Sequence, residues 1–551
     1  MNFTKQLNLL FIFLFILTIF TLIQSIFNPW FLWEELIYHF EVFDLRGIVK
    51  GTLYLGTYLF AIIPFVILVL LKSTRIFFFF LLTVFVFLSM DLFVQFLGVT
   101  HGFSLDEYAL ALNEAGNYKY LITYMDLILK SLLVSFLVVG LLFLLRKKIP
   151  TYRLPFRYFT FTFFSIFIIY AGCYKIDTFK LSSYPSAIKI PAIMIENFRI
   201  TAPTIDRNFN ENVQINKVKK FKNIVWIIDE SVTGTYLSIN GYEKETTPFL
   251  TKLDKESSEI YNFGVVNSVS NCSAESNLFL RIGLNPKKNF DLKKEMYSLP
   301  TIFEYAKKAG FKTWLFDSQT KKDHLQNYLT LYDKSDIDSF ETLGSEIDRV
   351  DRDKIFLEKF STIINNKEAI ENNFIVLVKY GSHFPYLLTY DHTNSPFQPV
   401  MDVSYGGMDS NHKEEQINTY LNSIYSSVDL YLKEMLSKVD LSDNIIFYTS
   451  DHGQNILEKE SLTRLHCNSE TVVKNEVSVP LLVFQENAKK LFKVDKNIFY
   501  SQVQMFPTTL SLLGYDRSVV DKYGKTLYEG YSKSEEREYI LSSSLERKVY
   551  Q

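Results

Sequence analysis

Residues 223–250 read NIVWIIDESVTGTYLSINGYEKETTPFL. Ile224 to Ile228 are β-branched or aromatic without a polar break, the composition of a strand buried on both faces. The run ends at Asp229-Glu230-Ser231, so acids sit at the strand's carboxyl end. Four more runs have this character: TWLF at Thr313–Phe316, FIVLV at Phe374–Val378, NIIFYTS at Asn444–Ser450 and VPLLVF at Val479–Phe484. Helical patterns lie between them, including Leu299–Ala309, closed by Gly310, and Glu415–Ser437. This alternation predicts an α/β sandwich with a mostly parallel central sheet whose site lies at the strands' carboxyl ends.

The residues following those strands carry chemistry. Asp451-His452-Gly453 follow Ser450, and Gly381-Ser382-His383-Phe384-Pro385-Tyr386 follow the Phe374–Val378 run. Carboxylate oxygens and imidazole nitrogens without an obligatory thiolate suit Zn²⁺ first and Mn²⁺ second, at a catalytic site with an open position. Glu230, Asp451, His452 and His383 are therefore expected to converge. His39, His101, His324, His392 and His412 follow no such strand and are expected at the surface.

Upstream of residue 223 the chain changes character. Of 551 residues 50 are Phe, gathered towards the amino terminus, and five apolar stretches predict five transmembrane helices: Asn8–Phe27, Leu53–Leu71, Ile76–Leu97, Tyr124–Leu145 and Arg157–Cys173. Each is long enough for about 30 Å of hydrocarbon. Lys5, Lys72, Arg75, Arg146, Lys147, Lys148, Arg153 and Arg157 flank alternate ends, whereas the other loops hold Glu34, Glu35, Glu41, Asp44, Asp106, Glu107 and Glu114. The positive loops place the amino terminus in the cytoplasm, and an odd number of spans exports everything after Cys173. The expected organisation is a transmembrane domain at 1–175, a linker at 176–221 and an exported catalytic domain at 222–551. A short amphipathic helix near Ala187–Asn197 is expected along the membrane surface. A formal net charge of −2 argues against a nucleic-acid partner, and a 48% hydrophobic composition excludes a disordered chain.

The motifs resemble those of the phosphoethanolamine transferases that decorate bacterial lipopolysaccharide, membrane-anchored members of the alkaline phosphatase superfamily. Asn240-Gly241-Tyr242, Glu245-Thr246 and Pro248 keep the family spacing, SDHGQNILE (Ser450–Glu458) is similar to SDHGESLGE, GSHFPY to GSHGPxY, and Leu465-His466 to a family Leu-His. The resemblance implies that Glu230, Asp451 and His452 hold a catalytic zinc, with one or two zinc ions in the site. It implies that Ser273, where the family has Thr, is both nucleophile and metal ligand. His383 and His466 match histidines that hold the substrate phosphate or a second metal. Ser270 and Ser276 stand close enough in sequence to be alternative nucleophiles. The implied donor is phosphatidylethanolamine, the acceptor lipid A, lipopolysaccharide core or another envelope glycolipid, and the location the bacterial inner membrane with a periplasmic catalytic domain.

Gln454 replaces a family Glu, Thr233 an Arg and Phe384 a Gly. His-Phe-Pro-Tyr is also similar to the lipoteichoic-acid-type phosphoglycerol transferases, so a phosphoglycerol transferase is the nearest alternative; a non-catalytic membrane sensor on the same fold is the second. Sulfatase chemistry requires Cys or Ser followed by x-Pro-x-Arg, which Cys272–Ser276 lacks. Most family cysteines are absent. Cys272 and Cys467 adjoin proposed site residues; unpaired thiols are the expectation, with a disulfide the alternative in an oxidising compartment.

Overall fold

The computed structural model describes residues 3–27, 45–96, 125–153 and 184–191, then 207, 209, 215 and 220–550 except 289–290, 320–324, 345, 402–411, 457, 459–464, 469–471, 493–497 and 543–544. By its internal contacts the chain divides into two units, residues 1–201 and 202–551.

In the first unit the apolar stretches form helices α1 (Phe3–Phe27), α2 (Leu45–Leu70), α3 (Thr74–Phe96) and α4 (Met125–Lys148). Among the described residues, α3 and α4 are long and apolar enough to cross a membrane, and α1 and α2 contain the shorter apolar stretches Leu9–Leu22 and Leu55–Leu70. The fifth expected span, Arg157–Cys173, lies outside the described residues. Helices α3 and α4 pack together. Ser131, Ser135, Val138 and Leu142 of α4 are buried, whereas Phe79, Leu133 and Phe136 are 72%, 64% and 70% exposed. Small and polar side chains inside with large apolar ones outside is an arrangement suited to lipid rather than water. At one end Arg146 donates to the carbonyl of Val69 at 2.8 Å and covers the Phe77 ring at 4.2 Å, tying α4 to the α2–α3 turn.

A short helix, α5, spans 186–191. Residues 192–197 of the helix expected near Ala187–Asn197 lie outside the described residues; before them Tyr184, Ile188, Lys189 and Ile190 are buried within the helical unit, unlike a surface helix. Ser186 Oγ donates to Asp91 Oδ2 at 2.7 Å, Lys189 pairs with Asp91 Oδ1, and the Tyr184 and Thr57 hydroxyls lie 2.9 Å apart. These polar partners on α2 and α3 draw the segment inward, because a buried Lys and a buried Asp each need the other.

The second unit is built on a seven-stranded sheet. Its strands are β1 (Asn223–Asp229), β2 (Ile260–Asn267), β3 (Phe311–Asp317), β4 (Ser339–Thr342), β5 (Asn372–Val378), β6 (Asn444–Ser450) and β7 (Ser478–Phe484), in the spatial order β2-β7-β6-β1-β5-β3-β4. The run from β6 to β4 is parallel; β7 is antiparallel to both β6 and β2. The pleat divides each strand between two cores. Ile224, Trp226 and Ile228 join one with Phe374, Val376, Ile445 and Phe447, while Val225 and Ile227 join the other with Ile375, Leu377, Ile446 and Tyr448. That two-sided burial explains the unbroken apolar runs.

Two strands of this sheet were not anticipated. Asn262 and Gly264 interrupt β2 where its register shifts, and β4 is four half-buried residues long. The named helices here are α6 (Pro248–Glu256), α7 (Ser273–Ile282), α8 (Ile302–Lys308), α9 (Arg349–Asn365), α10 (Lys413–Ile424) and α11 (Tyr431–Lys438), with a π turn at Tyr425–Leu430 joining the last two. Helix α8 starts later than the apolar pattern suggested because Thr301 caps it, accepting from the Glu304 N–H at 3.1 Å.

Candidate metal centre

Strand β1 lies between β5 and β6, and chain connections leave it on both sides, which opens a crevice at its carboxyl end. Glu230 follows β1, Asp451 and His452 follow β6, and His383 lies in the loop after β5. Ligand-capable atoms of Glu230, Asp451 and His452 all lie within 4.8 Å of one another, and all three residues are buried.

The backbone aims these groups. Asp451 Oδ1 accepts from the N–H groups of His452 (2.7 Å) and Ser231 (3.1 Å), leaving Oδ2 buried with no hydrogen-bond partner. His452 Nδ1 donates to the Gly453 carbonyl at 2.7 Å, which turns Nε2 toward the cluster. Gly453 admits no side chain, since a Cβ there would lie 1.9 Å from the Asn475 carbonyl oxygen. Glu230 Oε1 is 3.5 Å from His452 Nε2, and Ser231 Oγ donates to it at 2.6 Å.

Ser273 completes the group. It is the first residue of α7, with its hydroxyl 2.9 Å from His452 Nε2 and 3.4 Å from Glu230 Oε1. The two neighbouring serines are fully buried, and Ser276 is committed to the Ser270 carbonyl at 3.0 Å. Of the three serines, the structure brings Ser273 to the cluster. His466 joins by stacking its ring on His452, with centroids 4.2 Å apart, while its Nδ1 lies 3.2 Å from Gln454 Oε1. His383 Nδ1 is bonded to the Phe384 carbonyl at 2.6 Å, and the charge of His383 acts on Glu230. Its loop is held by Asp353 of α9, which accepts from the N–H groups of Tyr380 (2.7 Å) and Gly381 (3.0 Å).

Three supporting residues were missed at the sequence level. Gln319 donates from Nε2 to Glu230 Oε2 at 2.9 Å and to the Lys379 carbonyl at 2.8 Å. Gln326 in turn donates to Gln319 Oε1 at 3.1 Å. Lys379 donates to Asp229 Oδ2 at 2.5 Å, and Asp229 Oδ1 accepts from the Glu230 N–H at 2.9 Å. Gln319 and Lys379 stand just past the ends of β3 and β5, the same positional signal that pointed to Glu230 and Asp451.

The electrostatics are those of a cation site. Burial and the charge of Glu230 push the Asp451 carboxyl well above its usual range. Burial opposes ionisation of Glu230 too, but its hydrogen bond to His452 and the charges of His452 and His383 hold its pKa below the normal carboxylate value. His452 is lowered by burial and raised more by Asp451 and Glu230, reaching about 9. Two buried acids around one imidazole thus demand positive charge. Asp451 Oδ2, which has no hydrogen-bond partner among the described residues, His452 Nε2, the Glu230 carboxylate and the Ser273 hydroxyl form an oxygen and nitrogen donor set that fits a divalent ion such as Zn²⁺.

One expectation is overturned. Cys272 and Cys467 form a disulfide, with Cα atoms 4.9 Å apart. The sequence expectation was unpaired thiols; folding brings the start of α7 beside the His466 loop, a proximity that sequence spacing does not encode.

Fold and site together are those of a sulfatase-like α/β domain, and the chain belongs to the Sulfatase family, whose model matches residues 222–515. Its curated relatives include the Kdo(2)-lipid A phosphoethanolamine 7''-transferase of Escherichia coli (strain K12), 26% identical over 345 residues that cover 56% of each chain. The phosphoethanolamine transferase EptA of Helicobacter pylori is 24% identical over 346 residues, covering 61% of this chain and 57% of that one. The chain spans about half the length of the curated relatives it matches. Among solved structures, the integral membrane lipooligosaccharide phosphoethanolamine transferase A of Neisseria meningitidis superposes with a TM-score of 0.62 at 15% identity, over 92% of this chain and 98% of that one.

Proposed function

We propose that this protein transfers phosphoethanolamine from phosphatidylethanolamine to an envelope glycolipid, lipid A or lipopolysaccharide core, through a covalent phospho-serine at Ser273. The carrying observation is the Ser273 hydroxyl at the start of α7, in contact with both His452 and Glu230. Glu230, Asp451, His452 and Ser273 would hold a Zn²⁺ ion, which when bound acidifies a ligating hydroxyl and offsets charge on phosphoryl oxygens.

Ser273 Oγ attacks phosphorus, the bond to the diacylglycerol oxygen breaks, and that oxygen leaves as the diacylglycerol hydroxyl with the proton that Ser273 gives up. An acceptor hydroxyl or phosphate then attacks the phospho-serine, and Ser273 regains a proton. The first-turn N–H groups of α7 face the anionic phosphoryl group with favourable dipole. His383 and His466 supply further donors to its oxygens.

The apolar segments carry the protein through the bacterial inner membrane five times, with a cytoplasmic amino terminus and a periplasmic catalytic domain. Tethering to the bilayer holds donor and acceptor at high effective concentration. The test is mass spectrometry of envelope glycolipids from cells with and without the protein, and with Ser273→Ala. An added phosphoethanolamine mass that requires Ser273 supports the reading; an added phosphoglycerol mass transfers it to the sister activity, and no added mass with wild-type protein overturns it.

A further inference from the structure

The disulfide joins parts of the chain 195 residues apart, and each half adjoins a residue of the site. Cys272 is the N-cap of α7, directly before Ser273, and its side chain makes no cap hydrogen bond. Cys467 directly follows His466, whose ring stacks on His452. The same two segments are stitched by hydrogen bonds: the Cys467 N–H donates to the Asn271 carbonyl at 2.9 Å, and Asn271 Nδ2 donates to the Asn468 carbonyl at 3.0 Å. Cys467 adopts a left-handed backbone conformation with φ of 59°. Both cysteines are half-buried.

We infer that the Cys272–Cys467 disulfide is a positioning element for phosphoryl transfer, setting Ser273 and His466 so that both address one phosphoryl group. The inference rests on the transfer reading above. Its logic is the placement of a covalent tie. The start of α7 and the His466 segment come from distant parts of the chain, and the cross-link removes the sliding and opening freedom that hydrogen bonds alone leave. A tie whose role was only to stabilise the fold would serve equally well at any junction between distant segments; this one adjoins two groups that act on the same phosphorus.

The test uses the full-length zinc-loaded protein in lipid nanodiscs, with phosphatidylethanolamine as donor and lipid A as acceptor. Dithiothreitol reduces the bond: its two thiols become a cyclic disulfide, and two electrons and two protons pass to the cysteine sulfurs. A mass increase of two alkyl groups over the unreduced sample confirms the reaction. Reduction is expected to lower kcat at least tenfold, with donor KM changed less than twofold and zinc content unchanged, and reoxidation is expected to restore the rate.

The Cys272→Ala/Cys467→Ala protein is expected to match the reduced enzyme. His466→Ala is expected to cost at least tenfold in the wild type but under threefold in the disulfide-free background, because the tie acts through His466. A purely structural disulfide would give equal His466→Ala losses in both backgrounds. If the double variant fails to fold, the reversible reduction of the wild type decides. Unchanged kcat on verified reduction, or equal losses in both backgrounds, overturns this inference alone. A zinc-loaded oxidised wild type without transfer overturns the transfer reading and this inference with it.

Discussion

Ser273 is defined by three contacts: His452 Nε2 at 2.9 Å, Glu230 Oε1 at 3.4 Å and the helix that begins with it. Replacing a nucleophile of this kind removes the covalent step, so Ser273→Ala is expected to reduce transfer by about 10⁴-fold or more. Zinc content measured on the same variant should stay close to wild type, since Glu230, Asp451 and His452 remain. Asp451 gives a sharper test of the metal reading. Its Oδ2 has no hydrogen-bond partner, and its ionisation is opposed by burial and by Glu230. Asp451→Asn should therefore weaken zinc binding by at least about tenfold in chelator competition, while leaving the metal-free protein no less resistant to heat. A metal-free variant clearly less stable than metal-free wild type would show that the carboxylate serves the fold instead. Most of this cluster was legible in the sequence because a strand followed by an acid or an Asp-His pair has few places to go. Ser273 was singled out by the family resemblance alone; local sequence does not separate it from Ser270 and Ser276, because which hydroxyl faces the crevice depends on the fold.

At the scale of elements, the strands were readable and their partners were not. The runs at Ile224–Ile228 and Asn444–Ser450 announce buried strands, yet nothing local says that β1 sits between β5 and β6. Helix α8 shows how an element's environment tunes an ordinary side chain. Glu304 is buried, its Oε2 has no hydrogen-bond partner among the described residues, and burial followed by the nearby charge of Asp336 pushes its pKa up to about 7. In the unfolded chain it releases its proton near the ordinary value of 4.5; in the folded protein it holds that proton to about 7. Folded protein thus binds the extra proton, and stability falls as pH rises between those two values. Thermal unfolding of the full-length protein across this window should show the decline, and Glu304→Gln should flatten it. The disulfide acts at the same scale. In the chain-entropy picture a tie across 195 residues stabilises by at most about 5 kcal/mol, and reduction should lower the unfolding temperature of the second unit accordingly.

Across the whole molecule, the two units differ in what they present to their surroundings. Helices α3 and α4 turn Phe79, Leu133 and Phe136 outward, whereas the sheet of the second unit is apolar on both faces and covered by helices. If the helical unit serves as an anchor, a protein lacking residues 1–175 should still bind zinc while losing at least about 100-fold in transfer between lipids of one vesicle, since tethering alone supplies effective concentration of that order. Equal vesicle activity with and without the helices would assign them another role. The buried Lys189–Asp91 pair, with Ser186 on the same carboxylate, ties the segment after the spans back into the helical unit. That contact was absent from the sequence reading, which treated 176–221 as a polar linker.

The sequence by itself determined the division into an apolar and a mixed α/β part, the central strands and the acid and histidine positions at their ends. These follow from composition and periodicity, which act over a few residues. Strand order, the meeting of Ser273 with His452 and Glu230, the service of Gln319 and Lys379 to the site, and the Cys272–Cys467 bond appear only in three dimensions. Each depends on segments far apart in the chain meeting at a distance of a few ångströms, and proximity of that kind is set by packing of the whole sheet and its helices.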